Sequence, residues 1–172
     1  MDVLDVVGVE LGSVGIAWPT STGPRTVTFE HLVDIVAADN DPLIRAGRVK
    51  LGHEPWQLHP DGGTCELGDY DPFWTGEPAL GSIRNLRLND EGAKLLGDFT
   101  DVPAWLVDAM PTAWPNRSVE LVHDVETEAG HRYSRVLTAC ALLGVRQQAI
   151  KDLADVRRVL DGDPELVEFS EL

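Results

Sequence analysis

A side-chain hydroxyl works as a nucleophile only when a rigid element fixes it and charged neighbours serve the proton and the charge that the reaction moves. One stretch of this 172-residue sequence fits that description: Trp114-Pro-Asn-Arg-Ser-Val-Glu-Leu-Val-His-Asp-Val125. A polar loop, Trp114 to Arg117, leads into a run in which Val119, Leu121 and His123 alternate with Ser118, Glu120 and Val122. A period of two is that of a half-buried strand. Ser118 therefore opens a strand, with Glu120 on its own face and Arg117 next to it. Taken alone, the same residues describe a serine at a strand start beside a solvent-facing glutamate.

Other residues able to do chemistry are scattered. His53 closes a predicted strand, Arg48-Val-Lys-Leu-Gly-His53, which Glu54-Pro55 terminates. His59, Cys65 and Asp69 fall in residues 56–76, a Gly-, Pro- and Asp-rich excursion pinned by Trp56, Phe73 and Trp74. Long loops of this kind in compact domains are often functional. A metal site from His53, His59, Cys65 and His123 or His131 matches no zinc spacing, so no metal or other cofactor is expected. The two cysteines, Cys65 and Cys140, read as free thiols, with Cys140 in an apolar run and buried.

The charge balance excludes some partners. Twenty-nine acidic against 14 basic residues give a net charge of −15, which repels phosphate backbones and argues against direct nucleic-acid binding. The N-terminal residues lack the basic region of a signal peptide, and no apolar stretch approaches the length of a membrane span.

The elements that must position these residues follow from periodicity and turn signals. Residues 6–18 form a first strand or hairpin broken by glycines. Thr28 caps a helix from Phe29 to Ala38, which ends at Asp39-Asn-Asp-Pro42. Ala79–Leu88 and Ala93–Phe99 pair around the turn Asn89–Gly92. Asp101 caps a helix that stops at Pro111. The Ser118 strand turns at Glu126–Gly130 into a long strand, His131–Leu143, and with a turn at Thr127–Gly130 Ser118 faces about Ala139. Val145–Leu160 is an amphipathic helix. The predicted architecture is one α+β domain over residues 1–160, a mostly antiparallel sheet or small β-barrel surrounded by about three helices, followed by an acidic mobile tail, 161–172.

In order and spacing, several motifs together resemble the tailed-phage prohead (capsid maturation) proteases. They are Phe29…His31-Leu-Val-Asp-Ile-Val-Ala-Ala, Asp41-Pro42, Val49-Lys-Leu-Gly-His53, Gly81-Ser-Ile-Arg-Asn-Leu, Arg117-Ser-Val-Glu120 and Leu137-Thr-Ala-Cys-Ala-Leu-Leu-Gly144. The resemblance spans residues 26–153 and implies a serine endopeptidase with the fold of herpesvirus assemblins. It implies Ser118 as nucleophile and His53 as general base, with phage major capsid and scaffold proteins as substrates. It further implies a homo-oligomer inside a procapsid in the host cytoplasm, self-cleavage as a second reaction, and no membrane. Many relatives carry a glutamate on the strand after the nucleophile. Here that position is Thr138, Ala139 or Cys140, so Glu120, Asp98 or His131 must serve instead, with Glu120 nearest. Arg117, Arg135 and backbone N–H groups are the candidates for the oxyanion. The missing carboxylate predicts an enzyme that is weak or assembly-dependent. The alternative is a non-catalytic scaffold or tail-tube-like assembly protein on the same fold.

Overall fold

The computed structural model describes residues 1–15, 17–18, 25–52 and 78–144. In chain order these form β1 (Val3–Ser13), β2 (Ala17–Trp18), β3 (Arg25–Thr26), α1 (Phe29–Asp39), β4 (Arg48–Leu51), β5 (Ser82–Leu88), β6 (Lys94–Pro103), α2 (Ala104–Ala113), β7 (Asn116–Glu126) and β8 (Arg132–Leu143). One six-stranded sheet runs β1-β6-β5-β4-β8-β7, and β2 pairs with β3 separately.

This overturns the α+β expectation. The described residues are mostly β, with 52% of them in strands and two helices rather than about three around the sheet. The third expected helix, 145–160, and the tail, 161–172, lie outside the described residues. The sheet is mixed, because β4 runs parallel to β8. Nor is it a closed barrel. Its edge strands β1 and β7 approach each other, but a side chain occupies the seam in place of a ladder. Arg117, wholly buried, donates from Nε to the carbonyl of Glu10 at 2.6 Å.

Local chemistry explains the helix ends. The Thr28 hydroxyl accepts from the His31 amide at 3.3 Å, while His31 Nδ1 accepts from the Thr28 amide at 3.2 Å. This is a reciprocal capping box with histidine where glutamate is usual. Buried Leu32 and Ile35 of α1 pack towards β8 and β5. Asp101 does not cap α2. It adopts φ 56° within β6, its amide bound to the Asp5 carboxylate at 3.0 Å, and the helix starts after Pro103. That helix also runs through Pro111 to Ala113, its last turn closed by the Trp114 amide on the Met110 carbonyl at 3.0 Å. A single hydrophobic cluster joins Val9 and Leu11 of β1, Ile83 of β5, Phe99 of β6, Met110 of α2 and Leu142 of β8. Cys140 lies within it, and burial pushes its thiol up to about 12. At neutral pH that thiol is protonated and shielded, a packing residue with no thiolate to offer.

The β7–β8 hairpin shows how register escaped the sequence. Ser118 pairs with Ala141, two residues beyond the expected Ala139. One residue of the difference comes from the turn, which spans 127–131 because Glu126 pairs with Arg132. The other comes from a bulge at Thr138, where Glu120 pairs with Ala139 but Leu121 with Leu137. The Thr138 hydroxyl donates to the Glu120 carbonyl at 3.1 Å and steadies that bulge. A slip of two residues preserves the faces, so Ser118 and Glu120 keep the expected side.

Candidate active site

Ser118 is the third residue of β7 and half-buried. Among the described residues its hydroxyl has no hydrogen-bond partner. Residues directly opposite in a ladder share a face. Ser118 pairs with Ala141 of β8, and Ala141 pairs in turn with Lys50 of β4. The next row along is Glu120, Ala139 and Arg48, continued by Ser82 and Thr100 of β5 and β6. This face therefore carries three hydroxyls, two cations and a carboxylate around two small alanines. Lys50 Nζ meets Glu120 Oε1 at 3.1 Å, with side chains 12% and 33% exposed respectively. Arg48 Nη1 donates to the Ser82 hydroxyl.

The opposite face belongs to the core. Arg117, Val119, Cys140, Leu142 and Val49 lie there, as alternation requires. Arg117 is next to Ser118 in sequence but on the other side of the sheet. It braces the β1–β7 seam from the face opposite Ser118. Arg135 pairs with His123, five residues along β7 from Ser118, which is roughly 17 Å. Its Nη1 is engaged by the Ser134 carbonyl at 2.7 Å. Burial, then the Arg135 charge, lowers the pKa of His123.

His53 lies outside the described residues, as do His59, Cys65 and Asp69. The structure does fix the residue before it. β4 ends at Leu51, in register with Leu142, and Gly52 follows with φ 70° and its amide on the Leu142 carbonyl at 2.9 Å. That left-handed conformation suits glycine and redirects the chain where the strand stops. Leu142 is also the partner of Arg117, so β4 ends two strands away from the start of β7.

The remaining candidates for a third catalytic member sit elsewhere. Asp98 of β6 accepts from the Gly8 amide at 3.0 Å, Asn85 Nδ2 at 3.0 Å and Arg87 Nη1 at 3.0 Å. Gly8 and Asn85 both have positive φ, at 77° and 53°, and sit at bulges of β1 and β5. Burial pushes the Asp98 carboxyl up, but these three donors prevail and hold it below its ordinary value. Asp98 thus ties two bulges to the strand between them. Replacing Asp98 by alanine leaves those donors without their acceptor and is expected to cost about 2–3 kcal/mol, read as an earlier midpoint in urea unfolding. An unchanged midpoint would refute this structural role.

His131 lies in the turn at the far end of the hairpin. From Ser118 to Glu126 is eight residues, roughly 26 Å. His131 Nδ1 is 2.8 Å from Asp41 Oδ2, which also accepts from the Tyr133 hydroxyl at 2.7 Å, while the Leu43 amide donates to Oδ1 at 2.9 Å. The Tyr133 hydroxyl foremost, then Leu43 and His131, hold the Asp41 carboxyl down at about 2. Asp34 of α1, accepting from the Ser134 amide at 2.8 Å, is also lowered. Together they fasten the hairpin to α1. A depressed carboxyl supports the fold in its ionised form, so this fastening is complete above the ordinary value of 3.8 and fades as pH falls towards 2. Amide protection factors across residues 127–134, taken relative to the intrinsic rate at each pH, are expected to fall over that window while those of core strand amides stay high. Protection of the turn unchanged at pH 2 would contradict this.

The sequence singled out Ser118 and Glu120 but missed Lys50 and Arg48. Their alternation with Val49 and Leu51 shows that they face away from the core. What local pattern cannot show is that β4 lies beside β8. Among the described residues, no three His, Cys, Asp or Glu side chains gather as a metal site would require. Comparison with family models, curated proteins and solved structures found no match.

Proposed function

We propose that the chain is a serine endopeptidase of the phage capsid-maturation type, cutting segments of scaffold and major capsid protein inside a procapsid. The observation that carries this reading is the register Ser118–Ala141–Lys50. It sets a half-exposed hydroxyl on a firm strand, on a polar face, close to the strand end from which the chain enters His53. In the proposed reaction Ser118 Oγ attacks the peptide carbonyl carbon as its proton passes to His53, the general base that the resemblance assigns. The carbonyl π pair moves onto oxygen. Collapse then breaks the C–N bond, the proton returns to the leaving amine, and an acyl-enzyme remains for water to hydrolyse. Glu120, engaged with Lys50 at 3.1 Å, is the carboxylate nearest Ser118 along β7.

The second reading, a non-catalytic scaffold or tail-tube-like assembly protein, draws on Ala139 and Ala141. Alanines occupy the β8 positions beside Ser118 and Glu120, where a carboxylate would orient a base. Co-expression with the neighbouring capsid and scaffold proteins separates the two. Intact-protein masses are expected to show trimmed scaffold or capsid protein with wild type and full-length protein with Ser118→Ala. Identical, untrimmed masses in both, with particles still assembling, would favour the structural reading.

A further inference from the structure

We propose that Lys50 is the cation that meets the negative charge built on the substrate carbonyl oxygen at Ser118, an inference that rests on the serine-protease reading above. Register is the first support. Lys50 stands in the row of Ser118, separated from it by Ala141 alone, so their Cα atoms are about two strand spacings, roughly 10 Å, apart. A lysine side chain lying along the sheet covers most of that gap, and the residue between them, Ala141, is small and wholly buried. The observed ion pair shows that the reach is real. Lys50 Nζ already crosses β8 to touch Glu120, which is one row further along β7 than Ser118. Turning from Glu120 to an oxygen held over Ser118 requires a change of rotamer, not of backbone.

Comparison with the other cations named above, all among the described residues, is the second support. Arg117 lies on the opposite face, bound to the Glu10 carbonyl, and Arg135 is five ladder positions away. Arg48 shares the polar face but is one row off and engaged with Ser82. Burial is the third. With 12% of its side chain exposed, Lys50 acts with little screening, where a cation stabilises developing charge far more than it would in water. Glu120 then holds the ammonium over β7 in the resting protein, as a positioning residue acting through Lys50.

The test compares wild type, Lys50→Met, Lys50→Arg and Ser118→Ala in assembling particles. Two readouts are followed: the rate and concentration dependence of scaffold cleavage, and labelling of Ser118 by a fluorophosphonate, whose adduct places an oxygen where the substrate oxyanion forms. Lys50→Met is expected to lose about 10²-fold in both rates, as removal of one oxyanion donor does, with KM nearly unchanged. Lys50→Arg should keep its rates within about tenfold of wild type. If Lys50→Met has no melting transition, Lys50→Gln replaces it with the same readouts. Wild-type rates in the neutral variant, with Ser118→Ala inactive, would overturn the role of Lys50 and leave the protease reading standing. So would a loss confined to KM or shared equally by Lys50→Arg. Cleavage undiminished in Ser118→Ala would instead overturn the protease reading itself.

Discussion

If the chain is the serine endopeptidase proposed above, Ser118→Ala is expected to abolish cleavage, with a loss of about 10⁴-fold or more in turnover, and to leave the melting temperature within about 1 °C of wild type. The first part follows from chemistry, since no acyl-enzyme forms without the hydroxyl and what is left is the modest effect of binding and charge stabilisation. The second follows from structure. Ser118 is half-buried, its hydroxyl has no hydrogen-bond partner among the described residues, and its neighbour across the ladder is Ala141. Removing one oxygen there opens no core cavity and orphans no donor, so the effect on stability belongs with ordinary surface changes. The combination is diagnostic. A structural serine would show small effects on both quantities, and a folding defect would lower both. Trimming at the wild-type rate by a folded Ser118→Ala protein would remove the basis for the reading.

The largest expected effect on stability lies one residue earlier. Arg117→Ala should destabilise the fold by about 3–5 kcal/mol, or roughly 10 °C in melting temperature for a chain of this size. Two losses combine. Arg117 is among the largest wholly buried side chains, so truncation leaves a void between β1, β7 and the region of Cys140. It also deprives the Glu10 carbonyl of its donor at 2.6 Å, which spans the seam of the unclosed sheet. Arg117→Met refills much of the volume without the guanidinium and is expected to recover a substantial part of the loss. The measurement is equilibrium unfolding of both variants. A shift below about 2 °C in Arg117→Ala would mean that the seam is held by other contacts. Since Arg117 faces away from Ser118, Arg117→Met should also cleave at near wild-type rates when assayed well below its melting temperature.

Short-range features were legible in the sequence because the atoms responsible are close neighbours along the chain. Thr28 caps α1 through a box closed by His31, three residues on. The alternation from Ser118 to Val122 marks the two faces of β7, and the apolar run around Cys140 marks its burial. The same alternation turns Arg117 and Ser118 to opposite sides of the strand. Helix starts were less secure. Asp101 has the composition of a cap, but a β-strand claimed it because its amide is bound to Asp5, 96 residues earlier.

Tertiary structure decided everything that depends on distant segments meeting. A five-residue turn and a bulge at Thr138 moved the partner of Ser118 from Ala139 to Ala141, and periodicity is blind to both because it counts residues within one strand and not across two. The parallel pairing of β4 with β8 joins Lys50 to Ala141, 91 residues apart, and no local pattern encodes that choice. It is made by burying Val49 and Cys140 in one core, where apolar area, not sequence separation, sets the preference. The sequence by itself thus determined which residues have the chemistry and which way each strand turns them. Only the packing of the sheet decided which of them share a face, setting Lys50 and Glu120 beside Ser118, Arg117 beneath them, and Asp98 and His131 at structural posts elsewhere.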